Sequence, residues 1–379
     1  MIKVCYPFVG DSIGGSHISA VTLIKSIQET RTDIKPHVLV FCPDELFKEF
    51  LMKSNITFDD IDIKLSRFSK FSIFIDIFRS FFKLIKYINK AEIDIVHTND
   101  LRINLIFLVV CKFTRVKHLW HQRTSMPRST LGKRIFLLSD KLVTVSDYIL
   151  NQIGGLASKG QLSRVYNPID SYTATNEELF ERVNSFKKRP SVVAFIANVT
   201  AQKKAEVFVD MAKIAILKKL SNLEFIMIGR TNETIRNQIQ ILKDQETLDD
   251  SFKIIGFRDD VDQYLAKVDF LIVPAEGDGF GRTLIESMKA GVIVIAYESG
   301  GHKEIIKNNL NGILVKNLKA QDFMDSLLEI INNENLYQSL LFNAHKQSKS
   351  VCTVEQHTKD ICLIYANMLK DLKVNLGNA

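Results

Sequence analysis

Short apolar runs of strand length alternate with stretches of helical periodicity along most of the chain. In the first half the predicted strands are Met1 to Phe8, His37 to Cys42, Asp94 to His97, Lys117 to Trp120 and Lys141 to Val145. In the second half they are Ser191 to Ala197, Leu223 to Gly229, Phe252 to Gly256, Phe270 to Pro274, Val292 to Tyr297 and Gly312 to Val315. Predicted helices lie between successive strands, which is the order found in parallel sheets. We therefore expect an α/β protein with two doubly wound parallel sheets, each wrapped by helices.

A break in this alternation separates the two halves. The polar segment Ser171 to Arg189 holds one short helix at most and is interpreted as an interdomain linker. We predict an N-terminal domain at residues 1–168, a C-terminal domain at residues 169–360, and a last helix at residues 361–379 that packs back on the N-terminal domain. A chain of 379 residues is long for a single core, which agrees with two domains.

The loop after the predicted strand Phe270 to Pro274 has the character of an anion site. Three glycines lie between Glu276 and Gly281, and the loop leads into a predicted helix. The N–H groups of the first helical turn and the positive end of the helix dipole favour a bound phosphate. Asp278 lies in the loop, and Glu286 lies eight positions later in the helix. Two carboxylates beside a phosphate site suit a ligand with hydroxyl groups around a diphosphate, such as a nucleotide sugar.

Candidate functional residues also follow predicted strands in the first half. Gly10, Gly14 and Gly15 form a glycine-rich turn that does not reproduce the G-x-G-x-x-G fingerprint, and a tight strand-to-helix connection explains it equally well. His97 and His121 end two successive strands, where the functional groups of open α/β sheets gather. We expect at least one of these histidines to be functional.

The segment Arg67 to Lys90 contains six phenylalanines and six basic residues. A helix of this composition, with phenylalanine and isoleucine on one side and lysine and arginine on the other, can lie on an anionic membrane surface. Packing of an ordinary helix against the sheet is the alternative, because the apolar positions form a wide face. The sequence leaves both interpretations open.

The composition of the chain is that of a globular protein without a membrane-spanning helix. With 46% hydrophobic and 25% charged residues, the chain is expected to be globular. Its formal charge of +7 suits an acidic substrate, an anionic membrane surface or nucleic acid, and charge alone does not choose among them. Five scattered cysteines without a C-x-x-C pair predict reduced core residues in a cytoplasmic protein. The chain begins directly with a strand-like segment, which predicts no signal peptide, and no apolar run reaches the ~20 residues of a membrane-spanning helix.

The second half resembles the nucleotide-sugar domain of the retaining GT-B glycosyltransferases, in the family-four group that includes glycogen-synthase-like and lipopolysaccharide enzymes. The residues that carry the resemblance are Pro274, Asp278, Gly279-Phe280-Gly281, Glu286, Ala290-Gly291, Val294-Ile295, Gly300-Gly301 and Glu304. In the first half, Gly14, Gly15, His121 and the sequence Asn167 to Asp170 match family features. The resemblance implies a GT-B architecture in which an N-terminal acceptor-binding domain and a C-terminal nucleotide-sugar-binding domain face a cleft.

The chain departs from the family pattern at three positions, one of which is Ile293 in place of the usual proline. The first acid of the family's E-x7-E is Asp278 here, and Glu276 is an alternative carrier of that charge. The loop that reads G-R-x-x-x-x-K-G in the family has Asn198 in place of the arginine. We therefore expect Lys203 or Lys204, with help from Arg282, to neutralise more of the diphosphate.

The resemblance also implies roles for individual residues. The predicted catalytic residues are His121, Asp278 and Lys203. The predicted donor-binding residues are Gly14, Gly15, Asn198, Lys203, Gly281, Arg282, Thr283 and Glu286. No metal and no cofactor are expected. The acidic pairs Asp60/Asp62 and Asp260/Asp262 resemble D-x-D metal sites but are interpreted as surface or helix-cap residues.

The predicted function is transfer of a sugar, with retention of anomeric configuration, from a nucleotide sugar to a glycan or lipid-linked acceptor in bacterial surface-polysaccharide or lipopolysaccharide synthesis. The enzyme is expected in the cytoplasm or at the inner face of the membrane, and no nucleic-acid partner is expected. A nucleotide-sugar epimerase on the same fold and a non-catalytic nucleotide-sugar or glycan-binding protein are the alternatives.

Overall fold

The structure is a computed structural model, and it describes residues 1–11, 13–66, 72–126, 129–158, 160–244, 248 and 251–377. The chain divides into two compact units. Unit 1 comprises Met1–Asp170 and Cys352–Ala379, and unit 2 comprises Ser171–Val351. The boundaries expected from the sequence were 168/169 and 360/361.

Unit 1 is built on a seven-stranded sheet in which all paired strands run parallel, in the order β3-β2-β1-β4-β5-β6-β7. Its strands are β1 (Ile2–Phe8), β2 (Ile34–Phe41), β3 (Asp59–Ile61), β4 (Ile95–Thr98), β5 (Lys117–Gln122), β6 (Lys141–Thr144) and β7 (Leu162–Arg164). Its helices are α1 (Gly15–Thr30), α2 (Glu45–Lys53), α3 (Ser72–Ala91), α4 (Leu101–Lys112), α5 (Thr130–Phe136) and α6 (Asp147–Asn151), with a 3₁₀ turn at Gly154–Leu156.

Unit 2 has a six-stranded sheet, also parallel throughout its described pairings, in the order β10-β9-β8-β11-β12-β13. Its helices and strands, in chain order, are α7 (Asn176–Ser185), β8 (Ser191–Ile196), α8 (Ala205–Leu217), β9 (Leu223–Ile228), α9 (Glu233–Asp244), β10 (Phe252–Gly256), α10 (Val261–Leu265), β11 (Phe270–Val273), α11 (Arg282–Lys289), β12 (Ile293–Tyr297), α12 (His302–Ile305), β13 (Ile313–Val315), α13 (Ala320–Asn332) and α14 (Glu334–Ser348). The predicted α/β class with two doubly wound sheets is confirmed.

The helix α15 (Val354–Gly377) belongs to unit 1. Ile361 and Tyr365 are fully buried, in one apolar cluster with Leu23 and Ile24 of α1. The first sheet is therefore covered on this side by helices from both ends of the chain.

The strand order of each sheet reverses once, and this point locates the expected ligand sites. In unit 1 the first strand of the fold, β1, lies between β2 and β4, and in unit 2 β8 lies between β9 and β11. Loops that follow adjacent strands diverge at such a point and leave a crevice at the carboxyl end of the sheet. The loops after β8 and β11 in unit 2 are the two that carry Lys203 and Asp278.

Two expectations from the sequence were wrong, and two strands were missed. The segment predicted as a linker belongs to unit 2: its helix α7 begins with a capping box of Thr175 and Glu178 and buries Leu179 in the core of that unit. The short edge strands β3 and β7 were missed because three residues carry too little pattern. Cys42 is exposed, unlike the core cysteine that was predicted.

Candidate active site

An ion pair joins the two loops at the switch point of unit 2. Lys203 Nζ, in the loop after β8, lies 2.6 Å from Asp278 Oδ2, in the loop after β11. The two side chains are 28% and 20% exposed, so the pair is partly screened from solvent. The structure thus brings together two of the three predicted catalytic residues.

A buried histidine lies behind the same carboxylate. His302 is fully buried, and its Nε2 lies 3.8 Å from Asp278 Oδ2. Its Nδ1 donates to the carbonyl oxygen of Tyr297 at 2.9 Å, because a carbonyl can only accept. Burial alone would raise the pKa of Asp278, but His302 and Lys203 together hold that pKa well below its usual range. Asp278 is therefore ionised at neutral pH.

The loop that carries Asp278 rests on two glycines. A Cβ on Gly300 would meet the carbonyl oxygen of Asp278 at 2.2 Å, and Gly300 has a positive φ of +60°. A Cβ on Gly301 would meet the carbonyl oxygen of Gly279 at 2.8 Å. Gly301 N–H also donates to the carbonyl oxygen of Asp278 at 2.9 Å. Because glycine has no Cβ, the backbone at Gly300 and Gly301 can pack directly against the backbone of the Asp278 loop and support it.

The helix α11 begins beside this loop. Gly281 precedes it in the left-handed region, with φ +94° and no side-chain cap. The first N–H groups of a helix lack intrahelical partners, and no acidic side chain occupies this first turn. Thr283 is half-buried in that turn. Arg282 donates to Glu286 Oε1 at 3.0 Å, one helical turn away, and the two side chains are 11% and 20% exposed.

Asn198 is engaged with the neighbouring strand end. Its Oδ1 accepts from the backbone N–H of Arg230 at 3.0 Å. Because its oxygen is used in this way, the side-chain N–H₂ is the part of Asn198 that can meet a phosphate. The guanidinium of Arg230 lies 4.9 Å above the ring of Phe257. Arg230 is an exposed cation next to the position where the family has its arginine.

Glu276 is less well placed than Asp278 to act as the loop's acid. Its side chain is 60% exposed, and Lys204 Nζ lies 3.8 Å from its Oε2. Lys204 itself has a left-handed backbone and precedes α8. The pair therefore lies at the solvent side of the loop.

The predicted glycines of unit 1 lie at the start of α1. Gly14 precedes the helix, and Gly15 is its first residue. A Cβ on Gly14 would meet only His17 Nδ1, at 3.9 Å, so packing within the protein does not require glycine there. Gly10 is different, since a Cβ would meet Val40 at 2.7 Å. The space above Gly14 is open to a ligand.

His121 is the penultimate residue of β5 and lies inside a buried polar cluster. It is 0% exposed, and its Nδ1 lies 3.1 Å from His97 Nε2. The ring of His357, from α15, stacks on it at 6.0 Å between centroids. Burial and the cation of Arg123 hold the pKa of His121 well below its usual range. The two histidines expected at successive strand ends are in contact.

Both acids of the second acidic pair accept hydrogen bonds from neighbouring residues. Asp260 accepts from Arg258 Nε at 2.8 Å, and Asp262 Oδ2 accepts from the Tyr172 N–H at 3.3 Å. Within the described ranges no three His, Cys, Asp or Glu side chains are grouped as metal ligands. No described helix has both the length and the apolar character needed to cross a bilayer.

Sequence reasoning missed His302 and Arg230. His302 directly follows the glycine pair after β12, and Arg230 directly follows Gly229, the first residue after β9, so both occupy positions after strands where site residues gather. Their position after a strand was the signal by which the sequence could have identified these two residues.

Comparison with known proteins agrees with this geometry. Residues 176–347, nearly the whole of unit 2, match the family model of the glycosyl transferases group 1. An uncharacterized glycosyltransferase of Methanocaldococcus jannaschii is 26% identical, covering 92% of this chain and 92% of its own. The capsular polysaccharide biosynthesis glycosyltransferase CapH of Staphylococcus aureus is 23% identical, covering 80% of this chain and 84% of its own.

The fold has close counterparts among solved structures. HepE of Anabaena, determined in complex with UDP and glucose, superposes with a TM-score of 0.79 at 17% identity, covering 97% of this chain and 100% of that one. Unit 2 is therefore a domain of the glycosyl transferases group 1 family, and the two parallel sheets of the chain have the architecture of the GT-B fold.

Proposed function

We propose that the chain transfers a sugar from a nucleotide-sugar donor to a glycan or lipid-linked acceptor, with retention of anomeric configuration and without a metal. The observation that supports this most directly is the Lys203–Asp278 pair beside the start of α11. It combines a cation and open backbone N–H groups for a diphosphate with an ionised carboxylate for a sugar.

The cations of the site can bind a diphosphate. An ammonium group has three N–H donors, and Lys203 donates one of them to Asp278, so the same group can also bind a phosphate oxygen. Arg282, which donates to Glu286, adds a second positive charge at the start of α11. Arg230 adds charge beside Asn198. Preorganised charges of this kind stabilise the negative charge that develops on the departing diphosphate.

The carboxylates act on the rest of the donor. Glu286 would accept hydrogen bonds from the ribose hydroxyls, and Asp278 would contact hydroxyls of the transferred sugar or the positive charge near its anomeric carbon. In the step itself, the bond from the anomeric carbon to the phosphate oxygen breaks and a bond to the acceptor oxygen forms on the same face. The acceptor's proton passes to the departing phosphate. His121 would hydrogen-bond the transferred sugar or the acceptor.

The proposed setting is surface-polysaccharide or lipopolysaccharide synthesis in the cytoplasm. CapH, whose name places it in capsular polysaccharide biosynthesis, supports this class of acceptor. The nucleotide-sugar donor is supported by the UDP bound to HepE.

A donor screen followed by product analysis tests the proposal. Thermal shift against nucleotide sugars should identify a donor, because a ligand bound only to the native state raises the melting temperature. Incubation with that donor, an acceptor and EDTA should yield a glycoside whose anomeric proton coupling in NMR matches that of the donor. Conversion of the donor to a second nucleotide sugar without acceptor would indicate an epimerase instead. Binding without turnover would indicate a non-catalytic protein.

We also propose that α3 contacts the anionic inner face of the membrane. Residues 67–71 of the predicted segment lie outside the described residues. In α3, Phe74, Phe78 and Phe82 are spaced by four and are 70%, 79% and 75% exposed, so sheet packing does not account for them. The packed face is formed by other residues, including Ile73, Leu84 and Ile88.

The positive charge of α3 favours an anionic bilayer as the partner of its exposed phenylalanine face. Arg79, Lys83, Lys86 and Lys90 are exposed, whereas the helix's one acid, Asp76, is buried and paired with Arg102 at 2.7 Å. Exposed aromatic rings beside cations are typical of interfacial helices.

Vesicle sedimentation tests this contact. The protein should bind vesicles containing phosphatidylglycerol and not pure phosphatidylcholine. The triple variant Phe74→Ser, Phe78→Ser, Phe82→Ser and the variant Lys83→Glu, Lys86→Glu should each lose about tenfold in affinity. Phe180→Ser removes a phenylalanine that is 58% exposed in unit 2 and should bind normally. Equal binding to both vesicles, or a dimer that the triple variant abolishes, would refute the proposal.

A further inference from the structure

A chain of hydrogen-bonding groups connects α15 to His121. The hydroxyl of Tyr6 lies 2.7 Å from that of Tyr365, and the Tyr365 hydroxyl lies 2.5 Å from His97 Nδ1. His97 Nε2 lies 3.1 Å from His121 Nδ1. Tyr6, Tyr365, His97 and His121 are all fully buried, so solvent does not compete for these contacts. Hydroxyls and neutral imidazoles both donate and accept, and the chain taken alone can run in either direction.

Arg123 removes this ambiguity. Its Nη2 lies 3.4 Å from His121 Nδ1, and a guanidinium can only donate. His121 Nδ1 is therefore an acceptor and carries no proton. The guanidinium is held in place on its other sides, because its Nε donates to Asn99 Oδ1 at 2.9 Å and its Nη1 donates to Asn167 Oδ1. Asn167 lies shortly before the point where the chain passes from unit 1 to unit 2. Its side chain thus helps to hold Arg123 in place within unit 1.

The acceptor role of His121 Nδ1 determines which atom donates in each of the other hydrogen bonds of the chain. Since His121 Nδ1 accepts, His97 Nε2 donates to it. His97 Nδ1 then accepts from the Tyr365 hydroxyl, and the Tyr365 oxygen accepts from Tyr6. Burial and the nearby Arg123 cation hold the pKa values of His97 and His121 well below their usual range, which agrees with two neutral rings. A neutral ring without a proton on Nδ1 carries it on Nε2.

The Nε2 atom of His121 is the end of the chain. It is buried and has no hydrogen-bond partner among the described residues. A buried N–H donor without a partner is rare in folded proteins, because it loses its hydrogen bond to water without replacement. An oxygen atom of a bound substrate would satisfy it.

We propose that Arg123 and His97 are positioning residues that fix His121 as an Nε2–H donor toward a lone pair of a sugar oxygen, and that Tyr365 holds His97 in the matching tautomer. The proposal rests on the proposed function for the identity of the ligand. It defines the ligand atom as an acceptor: a histidine held in the other tautomer would instead accept from a sugar hydroxyl.

The tautomer can be measured without substrate. In protein labelled with ¹⁵N-histidine, long-range ¹H–¹⁵N correlation distinguishes a protonated ring nitrogen from a bare one, and the His121→Gln variant identifies the His121 signals. The expected spectrum has His121 and His97 both neutral and protonated on Nε2. His121 protonated on Nδ1, or on both nitrogens, would overturn the proposal.

Variants test separately how Tyr365 and Arg123 affect the tautomers of His97 and His121. Tyr365→Phe removes the donor to His97 Nδ1 but leaves Arg123, so His97 should become a mixture of tautomers while His121 stays Nε2–H. Arg123→Met should make His121 itself a mixture and lower kcat by about tenfold, with the KM for the donor little changed. Arg123→Lys keeps an N–H donor, should restore part of kcat, and serves if Arg123→Met does not fold. Tyr337→Phe is the matched control, because it removes a buried hydroxyl that has no hydrogen-bond partner in the described part of unit 2.

The outcomes distinguish this inference from the proposed function. A transferase whose His121 is protonated on Nδ1 overturns the inference alone. An Nε2–H His121 in a chain that transfers no sugar overturns the proposed function, and the tautomer assignment stands. An unchanged His121 tautomer in Arg123→Met would show that Arg123 does not set it.

Discussion

Lys203 Nζ lies 2.6 Å from Asp278 Oδ2, and this ion pair is one of the contacts that join the loop after β8 to the loop after β11. Lys203→Met should lower the free energy of unfolding of unit 2 by about 1 to 3 kcal/mol, because a partly buried carboxylate is left without its cation. The double variant Lys203→Met, Asp278→Asn should recover part of that loss. Chemical denaturation of the four proteins in a double-mutant cycle measures the coupling, and additive effects would show that the pair contributes nothing.

Glu286→Gln should weaken donor binding, since a carboxylate accepts stronger hydrogen bonds from ribose hydroxyls than an amide does. Removal of the group in Glu286→Ala should cost about 2 to 3 kcal/mol of donor affinity. Isothermal titration with the donor identified by thermal shift gives the value. Glu276→Gln, which alters a side chain 60% exposed in the neighbouring loop, is the matched control and should bind normally. Normal affinity in Glu286→Ala would remove the residue from the donor site.

Gly300→Ala should destabilise unit 2 and weaken donor binding although the residue need not touch the donor. Its Cβ would lie 2.2 Å from the carbonyl oxygen of Asp278, so the Asp278 loop must move. Gly256→Ala separates backbone strain from this clash, because Gly256 also has a positive φ, +83°, but a Cβ there meets nothing within 4 Å. The control should lose only the ~1 to 2 kcal/mol of a left-handed non-glycine residue. Equal losses of unfolding free energy in both variants would contradict the supporting role of Gly300.

Unit 1 should lose stability on acidification. Burial lowers the pKa of His118 to about 3, whereas an unfolded histidine titrates near pH ~6.5. Between these values the unfolded chain binds the proton and the native state does not, so the free energy of unfolding falls as the pH drops from ~6.5 toward ~3. His118→Asn should flatten this dependence in denaturant titrations between pH 7 and pH 4.5. An unchanged slope would assign the acid sensitivity to other groups.

The fold was predictable because the central strands of both sheets are buried on two faces. All four residues of β11 are buried, and such strands appear in the sequence as continuous apolar runs. The segment with α7 was misassigned for a physical reason: its stability comes from Leu179 in the core and from Arg182, which donates to the carbonyl oxygens of Val268, Leu265 and Ala266. Contacts of this kind, more than 80 residues apart in sequence, leave no local pattern.

The sequence predicted the individual residues of the candidate site but not the contacts between them. The positions of Asp278 and Lys203 after strands followed from the sequence pattern, whereas their contact depends on which strands are neighbours in the sheet. The same limit applies to His302, whose proximity to Asp278 arises from the packing of the glycine pair. The tautomer proposed for His121 depends on its contacts with Arg123 and His97, so it required coordinates.

Unit 1 is assembled from both ends of the chain, and this sets an order of folding. Residues 1–170 leave the ribosome first, but Ile361 and Tyr365, which complete their core, emerge only after the continuous segment Ser171–Val351. Unit 2 has all its residues earlier and can fold as a unit during synthesis. The nascent first half must therefore stay partly open, with apolar surface accessible to chaperones, until α15 arrives. Deletion of α15 should accordingly impair the first-synthesised unit and leave the later one able to fold.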